Sequence, residues 1–166
     1  TSSREPWYEN TIFVFVADHV SSEIFAPKTL TPTGNTQIIC LIYTPDGSLR
    51  GVNRSVAQQI DLMPTLLGLT GYDRPYFAFG RDVLRETDRE PMVSNYAGGT
   101  YQGITDSLVL FFDGERTLSA YLRSDTLQKN DISGIRTPAL EAAERDLKAR
   151  LQQYYRHVKQ KDYLAE

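Results

Sequence analysis

The chain has 166 residues, 40% of them hydrophobic and 23% charged, with a formal net charge of -3. That balance suits one globular domain long enough to bury a core, and it gives no basis for a nucleic-acid partner, which needs a basic patch or stripe. No apolar stretch approaches the roughly 18 residues that span a bilayer, and the polar start Thr1-Ser2-Ser3-Arg4-Glu5-Pro6 does not read as a signal peptide.

Thr11-Ile12-Phe13-Val14-Phe15-Val16-Ala17 is an apolar run rich in β-branched and aromatic residues. Such a run predicts a strand buried on both faces, as in a parallel sheet. It ends in Asp18-His19. A loop marked by Pro27, Pro32, Gly34 and Asn35 follows, then a second buried-strand pattern from Gln37 to Tyr43, stopped by Thr44-Pro45-Asp46-Gly47. The single cysteine, Cys40, lies inside that second run and is expected as a buried, inert thiol. A sequence that opens with Thr and reaches its first strand almost at once reads as a piece of something longer.

Asp61 to Gly71 predicts a short helix, with Asp61 as its cap, Pro64 in the first turn and Gly71 at its end. Strand, loop, strand and helix at this spacing suggest α/β organisation. After about Gly80 the texture changes. Pro91 to Tyr96, Ser107 to Phe112 and Thr117 to Leu122 are short strand candidates, and Asp113-Gly114 signals a hairpin. Thr137 and Pro138 then open a long helix as cap and first-turn residue. Its Leu140, Ala143, Leu147, Leu151, Tyr154 and Val158 recur at helical spacing and are expected to face the core. The predicted fold class is α/β. A fragment of parallel sheet with flanking helices fills residues 1–85. A small antiparallel sheet with a long C-terminal helix fills 86–166 of the same domain.

The sharpest local feature is Asp18-His19 at the end of a strand, where sites gather in open α/β sheets. A carboxylate and an imidazole are both good ligands for Zn²⁺, Mn²⁺ and similar ions. Adjacent strand residues point to opposite faces, so sharing an ion requires the chain to leave the strand here. On its own such a pair more often marks a turn with a satisfied histidine. Two ligands are also fewer than the four or so that a metal site takes. The other histidine, His157, falls in the last turns of a basic helix and is expected to be solvated there. Ser21, Ser22, Ser55 and Ser94 lack a nucleophile-elbow context. Gly98-Gly99-Thr100 reads as a tight turn, Asp61 as a helix cap, Tyr96 and Tyr101 as packing residues, and Arg54, Arg74 and Arg81 as surface charges.

Several patches together resemble one family. Pro6-Trp7-Tyr8-Glu9-Asn10-Thr11 through Asp18-His19 is similar to a segment of bacterial sulfatase-like proteins of the alkaline phosphatase superfamily. The likeness is to the lipoteichoic-acid-synthase and phosphoglycerol-transferase branch. Ile39 to Pro45 is similar to that family's next core strand, Ser55 to Gly71 to its following helix, and Gly80-Arg81-Asp82-Val83-Leu84 to the motif after it. The likeness covers roughly residues 6 to 84. Val20 stands where the family commonly has Gly, which alters the turn and removes no ligand.

The resemblance implies that Asp18 and His19 ligate one divalent cation, Mn, Mg, Ca or Zn, in the intact protein. It implies no catalytic residue in this chain, because the family's Thr, Ser or modified Cys nucleophile lies upstream with the remaining ligands. The expected activity is sulfuric or phosphoric ester hydrolysis through a covalent intermediate. The alternative is transfer of a phosphoglycerol or phosphoethanolamine group to an acceptor in the membrane or envelope. Expected partners are the remainder of the catalytic domain and an anionic ester substrate, with self-association through an exposed sheet edge. The expected location is the cell envelope, with the membrane anchor upstream. Two other readings stay open. One is a non-enzymatic binding domain acting through the basic C-terminal helix. The other is a different hydrolase that uses Asp18-His19 as a proton relay, which needs a nucleophile within reach of His19.

Overall fold

The computed structural model describes residues 2–21, 23, 26–85, 87 and 90–161. These form two compact units, Thr1–Arg54 and Ser55–Glu166. The change of texture near residue 86 therefore falls inside the second unit.

The first unit is built on two strands, β1 (Phe13–Val16) and β2 (Cys40–Tyr43). They pair antiparallel, with Phe13 opposite Tyr43 and Val16 opposite Cys40. This corrects the expectation of a parallel fragment. A parallel pair needs a crossover, usually helical, whereas the described residues between β1 and β2 form only the short 3-10 turns Pro27–Leu30 and Gly34–Thr36. Apolar runs announce two covered faces without announcing direction. Phe13, Phe15, Leu41 and Tyr43 share one face of the pair; Val14, Val16, Cys40 and Ile42 share the other. Trp7, Tyr8 and Tyr43 gather round Phe13 at ring separations of 6.2, 5.5 and 5.9 Å. The Tyr8 and Tyr43 hydroxyls meet at 2.7 Å. At the far end the faces stay open: Phe15 and Leu41 are more than half exposed, and Cys40 is exposed rather than buried.

The second unit begins with a 3-10 turn, Gln59–Asp61, that runs into α1 (Leu62–Leu69). A reciprocal capping box joins Gln58 and Asp61. Asp61 thus caps the turn before α1 rather than α1 itself. Its carboxylate accepts from Gln58 N at 2.9 Å and from Arg81 N at 2.8 Å. Thr65 Oγ1 donates to the Asp61 carbonyl at 2.7 Å and accepts from Val83 N at 3.1 Å. Both side chains are buried, so their bonds meet the requirement that buried polar groups be paired. The start of the unit is pinned by Asp106, which accepts from Ser55 Oγ, Val56 N and Arg123 Nη1.

A four-stranded antiparallel meander follows in the order β3-β4-β5-β6. Its strands are β3 (Met92–Ala97), β4 (Thr100–Thr105), β5 (Leu108–Phe112) and β6 (Thr117–Leu122). Gly98 and Gly99 make the β3-β4 turn with φ of 62° and 81°, angles that hairpin turns favour and side chains resist. β4 has no counterpart among the strands expected from sequence. Its Gln102 and Gly103 weaken the strand signal; a Cβ at Gly103 would lie 3.0 Å from the Leu110 side chain and 3.2 Å from that of Leu147, a tight fit against the core.

α2 (Pro138–Gln160) lies on one sheet face, capped by Thr137, whose Oγ1 accepts from Leu140 N. Met92, Leu108, Leu110, Phe112, Ala120, Leu140, Ala143 and Leu147 form the core. Each fully buried Leu or Phe there stabilises by about 1.5–3 kcal/mol. Every residue of β5 is buried. Tyr154 and Val158, expected in this core, are exposed, because α2 continues past the sheet. The α/β class, the small antiparallel sheet and the long C-terminal helix stand as expected.

Candidate metal-binding dipeptide

β1 delivers the candidate ligands. Ala17 N still bonds the Ile39 carbonyl at 3.2 Å, so pairing with the neighbouring segment persists through Ala17. The chain then bends at Asp18 and His19. The bend overcomes the alternation that would otherwise send adjacent side chains to opposite faces. Asp18 Oδ1 accepts from His19 N at 2.9 Å. The same oxygen lies 3.7 Å from His19 Nε2.

His19 Nδ1 lies 2.6 Å from the Val20 carbonyl oxygen. A carbonyl only accepts, so Nδ1 carries the proton, and in the neutral ring Nε2 holds the lone pair. A backbone carbonyl fixing the far nitrogen in this way is the usual outer support of a histidine ligand. Both side chains stand in solvent, Asp18 at 89% and His19 at 79% exposure. An imidazole lone pair and a carboxylate oxygen on the same side suit a borderline divalent cation as two members of a larger set.

The set is not completed here: among the described residues no group of three or more His, Cys, Asp or Glu side chains could hold a metal. A concavity of about 420 Å³ lies along α2, lined by Ala149, Gln152, Gln153, Arg156 and His157. It offers one imidazole and no carboxylate. His157 is half-buried rather than solvated, its ring 4.7 Å from Phe77 and 5.9 Å from Phe79.

The remaining sequence candidates are absorbed by the fold. Asp61 is enclosed by its backbone donors, and Arg81 Nη2 donates to the Val56 carbonyl. Ser55 is tied to Asp106, and Ser94 N approaches Gln58 Oε1 at 3.3 Å. Tyr101 shares a 2.6 Å hydroxyl bond with Tyr155 and packs on Tyr96. Ser22 lies outside the described residues. The support of His19 by Val20 had no sequence signal, since it uses a backbone oxygen.

Residues 4–72 match the family model described as Sulfatase. No curated protein matches the chain. A solved structure, that of a protein in the alkaline phosphatase superfamily from Vibrio parahaemolyticus, is similar with a TM-score of 0.74 and 22% sequence identity. The likeness covers 99% of this chain and 39% of that one. This chain therefore spans about two fifths of that protein's length. The matched segment runs through β1, Asp18-His19, β2 and α1, with one solved fold enclosing it and the meander and helix beyond. Residues 4–72 are thus similar to the sulfatase family, and the chain has the fold of the corresponding segment of that solved structure.

Proposed function

We propose that this chain forms part of a metal-dependent ester hydrolase or transferase of the sulfatase type and contributes Asp18 and His19 as two ligands of a divalent cation. The observation that carries the reading is the His19 geometry within the sulfatase-matching segment. Nδ1 is held by Val20, and Nε2 stands 3.7 Å from Asp18 Oδ1 at the end of β1. A cation bound there would neutralise charge on a sulfate or phosphate ester oxygen and favour ionisation of an attacking hydroxyl. The roles of this chain's residues are narrower. Val20 fixes the imidazole tautomer, Asp18 brings negative charge beside Nε2, and the β1-β2 pairing holds both at a strand end. The nucleophile and the other ligands belong to further sequence in this reading.

The class of ester is sulfuric or phosphoric, with release of the covalent intermediate to water or to an acceptor alcohol. The likeness of Pro6 to His19 to the lipoteichoic-acid-synthase branch supports the acceptor route and an envelope location. The half-open faces of β1-β2 support a partner surface formed by the remainder of the catalytic domain.

The test uses the polypeptide at the length its gene encodes, with p-nitrophenyl sulfate, p-nitrophenyl phosphate and a nitrophenyl phosphodiester as probes. Asp18→Asn and His19→Gln are expected to reduce turnover by more than the roughly 100-fold that loss of an outer support of a ligand costs. Hydrolysis of sulfate against phosphodiester separates the two ester classes. Full activity in both variants would overturn the ligand assignment. Absence of metal affinity and of hydrolysis would leave the binding-domain reading.

A further inference from the structure

An antiparallel sheet has two edges, and an edge strand turns the N–H and C=O of every second residue away from its partner. In the meander the edge strands are β3 and β6. The two-residue Gly98-Gly99 turn closes on the Ala97-Thr100 pair, which in such a hairpin bonds across the strands. By alternation Asn95 also faces β4, while Ser94 and Tyr96 face outward. Both outward N–H groups are already engaged within the chain. Ser94 N donates to Gln58 Oε1 at 3.3 Å, and Tyr96 N donates to Asn95 Oδ1 at 2.8 Å. Gln58 is held in position by its capping box, in which its side chain also accepts from Asp61 N.

The other edge is met in the same way. Arg123 N bonds the Ser107 carbonyl at 2.8 Å, so Tyr121 and Ser119 face β5 and Ala120 faces away from it. Both outward groups of Ala120 are taken. Its N donates to Asp131 Oδ1 at 3.0 Å, and its carbonyl accepts from Ile132 N at 2.8 Å. Asp131 Oδ1 also accepts from Ser133 N at 2.8 Å. These donors, Ala120 N foremost, hold the Asp131 carboxyl below its ordinary value. The acceptor on this edge is therefore a charged one, which bonds more strongly than a neutral amide.

We propose that Gln58, Asn95 and Asp131 are edge latches that close the meander to strand addition, whether by a second copy of this chain or by a strand from elsewhere in a longer protein. A strand joining β3 needs the Ser94 and Tyr96 N–H groups, and one joining β6 needs both groups of Ala120. Each of these is bonded to an acceptor or donor of the same chain. An incoming strand would exchange one hydrogen bond for another and lose the freedom of two separate bodies as well, so pairing has no net driving force from the backbone. The sheet of the second unit is in this reading finished at four strands. Self-association through an exposed sheet edge then excludes the meander. The inference rests on neither Asp18 nor His19.

The test is amide hydrogen exchange of the 166-residue chain, read residue by residue by NMR, together with sedimentation velocity over a dilution series. The Ser94, Tyr96 and Ala120 amides are expected to exchange slowly, with rates that do not change with protein concentration. Asn95→Ala should speed exchange at Tyr96 about tenfold, the loss of one hydrogen bond, and leave Ala120 unchanged. The combined Gln58→Met, Asn95→Ala variant should associate about tenfold more tightly than the wild type, with Ser94 and Tyr96 gaining protection as concentration rises. Gln58→Glu with Asn95→Asp keeps both acceptors and should behave as the wild type. Circular dichroism of each variant checks that the sheet is retained, and the single Asn95→Ala exchange result stands alone where the combined variant does not fold. Rapid exchange of the three amides in the wild type overturns the proposal. So does protection of Ser94 and Tyr96 that grows with wild-type concentration, because strand addition would then already occur. A folded combined variant that associates no more than the wild type also overturns it.

Discussion

Thr117 Oγ1 donates to Glu144 Oε2 at 2.8 Å, joining β6 to the second turn of α2. The same carboxylate receives Lys148 Nζ at 2.7 Å and Arg136 Nη1 at 3.3 Å. The Lys148 bond, aided by Thr117 and Arg136, holds the Glu144 carboxyl below its ordinary value against the opposing effect of burial. A depressed carboxyl contributes its stability fully above the unfolded-state value and loses it as pH falls through the folded value. Glu144→Gln should therefore cost about 1.5–3 kcal/mol near neutrality, the worth of hydrogen bonds to a charged group. The deficit should shrink as pH falls below the usual glutamate range. Urea titrations of both proteins across that range check the sign. A deficit that grows on acidification would contradict it.

Asp61 carries the turn into α1. Both of its carboxylate oxygens receive backbone donors, Gln58 N and Arg81 N, in a buried setting. Asp61→Ala removes a cap and orphans two N–H groups, so a loss of about 2–4 kcal/mol is expected. Asp61→Asn keeps one accepting oxygen and sets an amide N–H against the other donor. It should fall between the wild type and the alanine variant in the midpoint of urea unfolding.

Gly80 lies against the backbone of this turn. A Cβ there would sit 2.8 Å from Asp61 N and closer still to the Ile60 carbonyl. Backbone cannot swing aside as a side chain can. Gly80→Ala is therefore expected to cost about 3 kcal/mol and to weaken the Arg81-Asp61 bond that follows. Gly98→Ala offers a contrast, since open space surrounds it and only its φ of 62° resists. It should cost about 1 kcal/mol. Thermal melts of the two variants separate steric collision from backbone preference.

The sequence patterns that spoke clearly were those with a covered face inside the same unit. Leu108 to Phe112, Thr117 to Leu122 and the first turns of α2 read as they fold, because β5 and α2 bury each other's apolar stripes. The patterns that misled report a face that wants cover without reporting where the cover is. Tyr154 and Val158 keep the helical spacing of Leu140 and Leu147 beyond the end of the sheet, and Cys40 sits in an apolar run whose faces stay open. β4 was hidden for the reverse reason: Gly103 lies close under the Leu110 and Leu147 side chains and depresses any strand signal. Strand direction was equally silent, since Phe13 to Val16 reads alike in either pairing.

The candidate site was legible as far as residue identity goes. Asp18-His19 stood out by position and by family likeness, while the bond from Nδ1 to Val20 is a backbone contact that no side-chain pattern announces. His157 was misplaced because Phe77 and Phe79 reach it from a segment some eighty residues earlier in the sequence.

That pair of histidines gives the site its sharpest check. The chain has two, His19 and His157, one exposed beside a carboxylate and one packed on aromatic rings. With only two donors the chain by itself should hold Mn²⁺ weakly, on the order of millimolar. Weak binding is enough for paramagnetic broadening. Sub-stoichiometric Mn²⁺ is expected to broaden the His19 ring protons in a proton NMR spectrum and to leave those of His157 sharp. Asp18→Asn should remove most of the effect while changing stability by no more than about 0.5 kcal/mol, because its side chain is exposed. Equal broadening of both rings would mean surface adsorption of the ion. No broadening at His19 would remove the ligand pair from the proposed reaction altogether, whatever fold surrounds it.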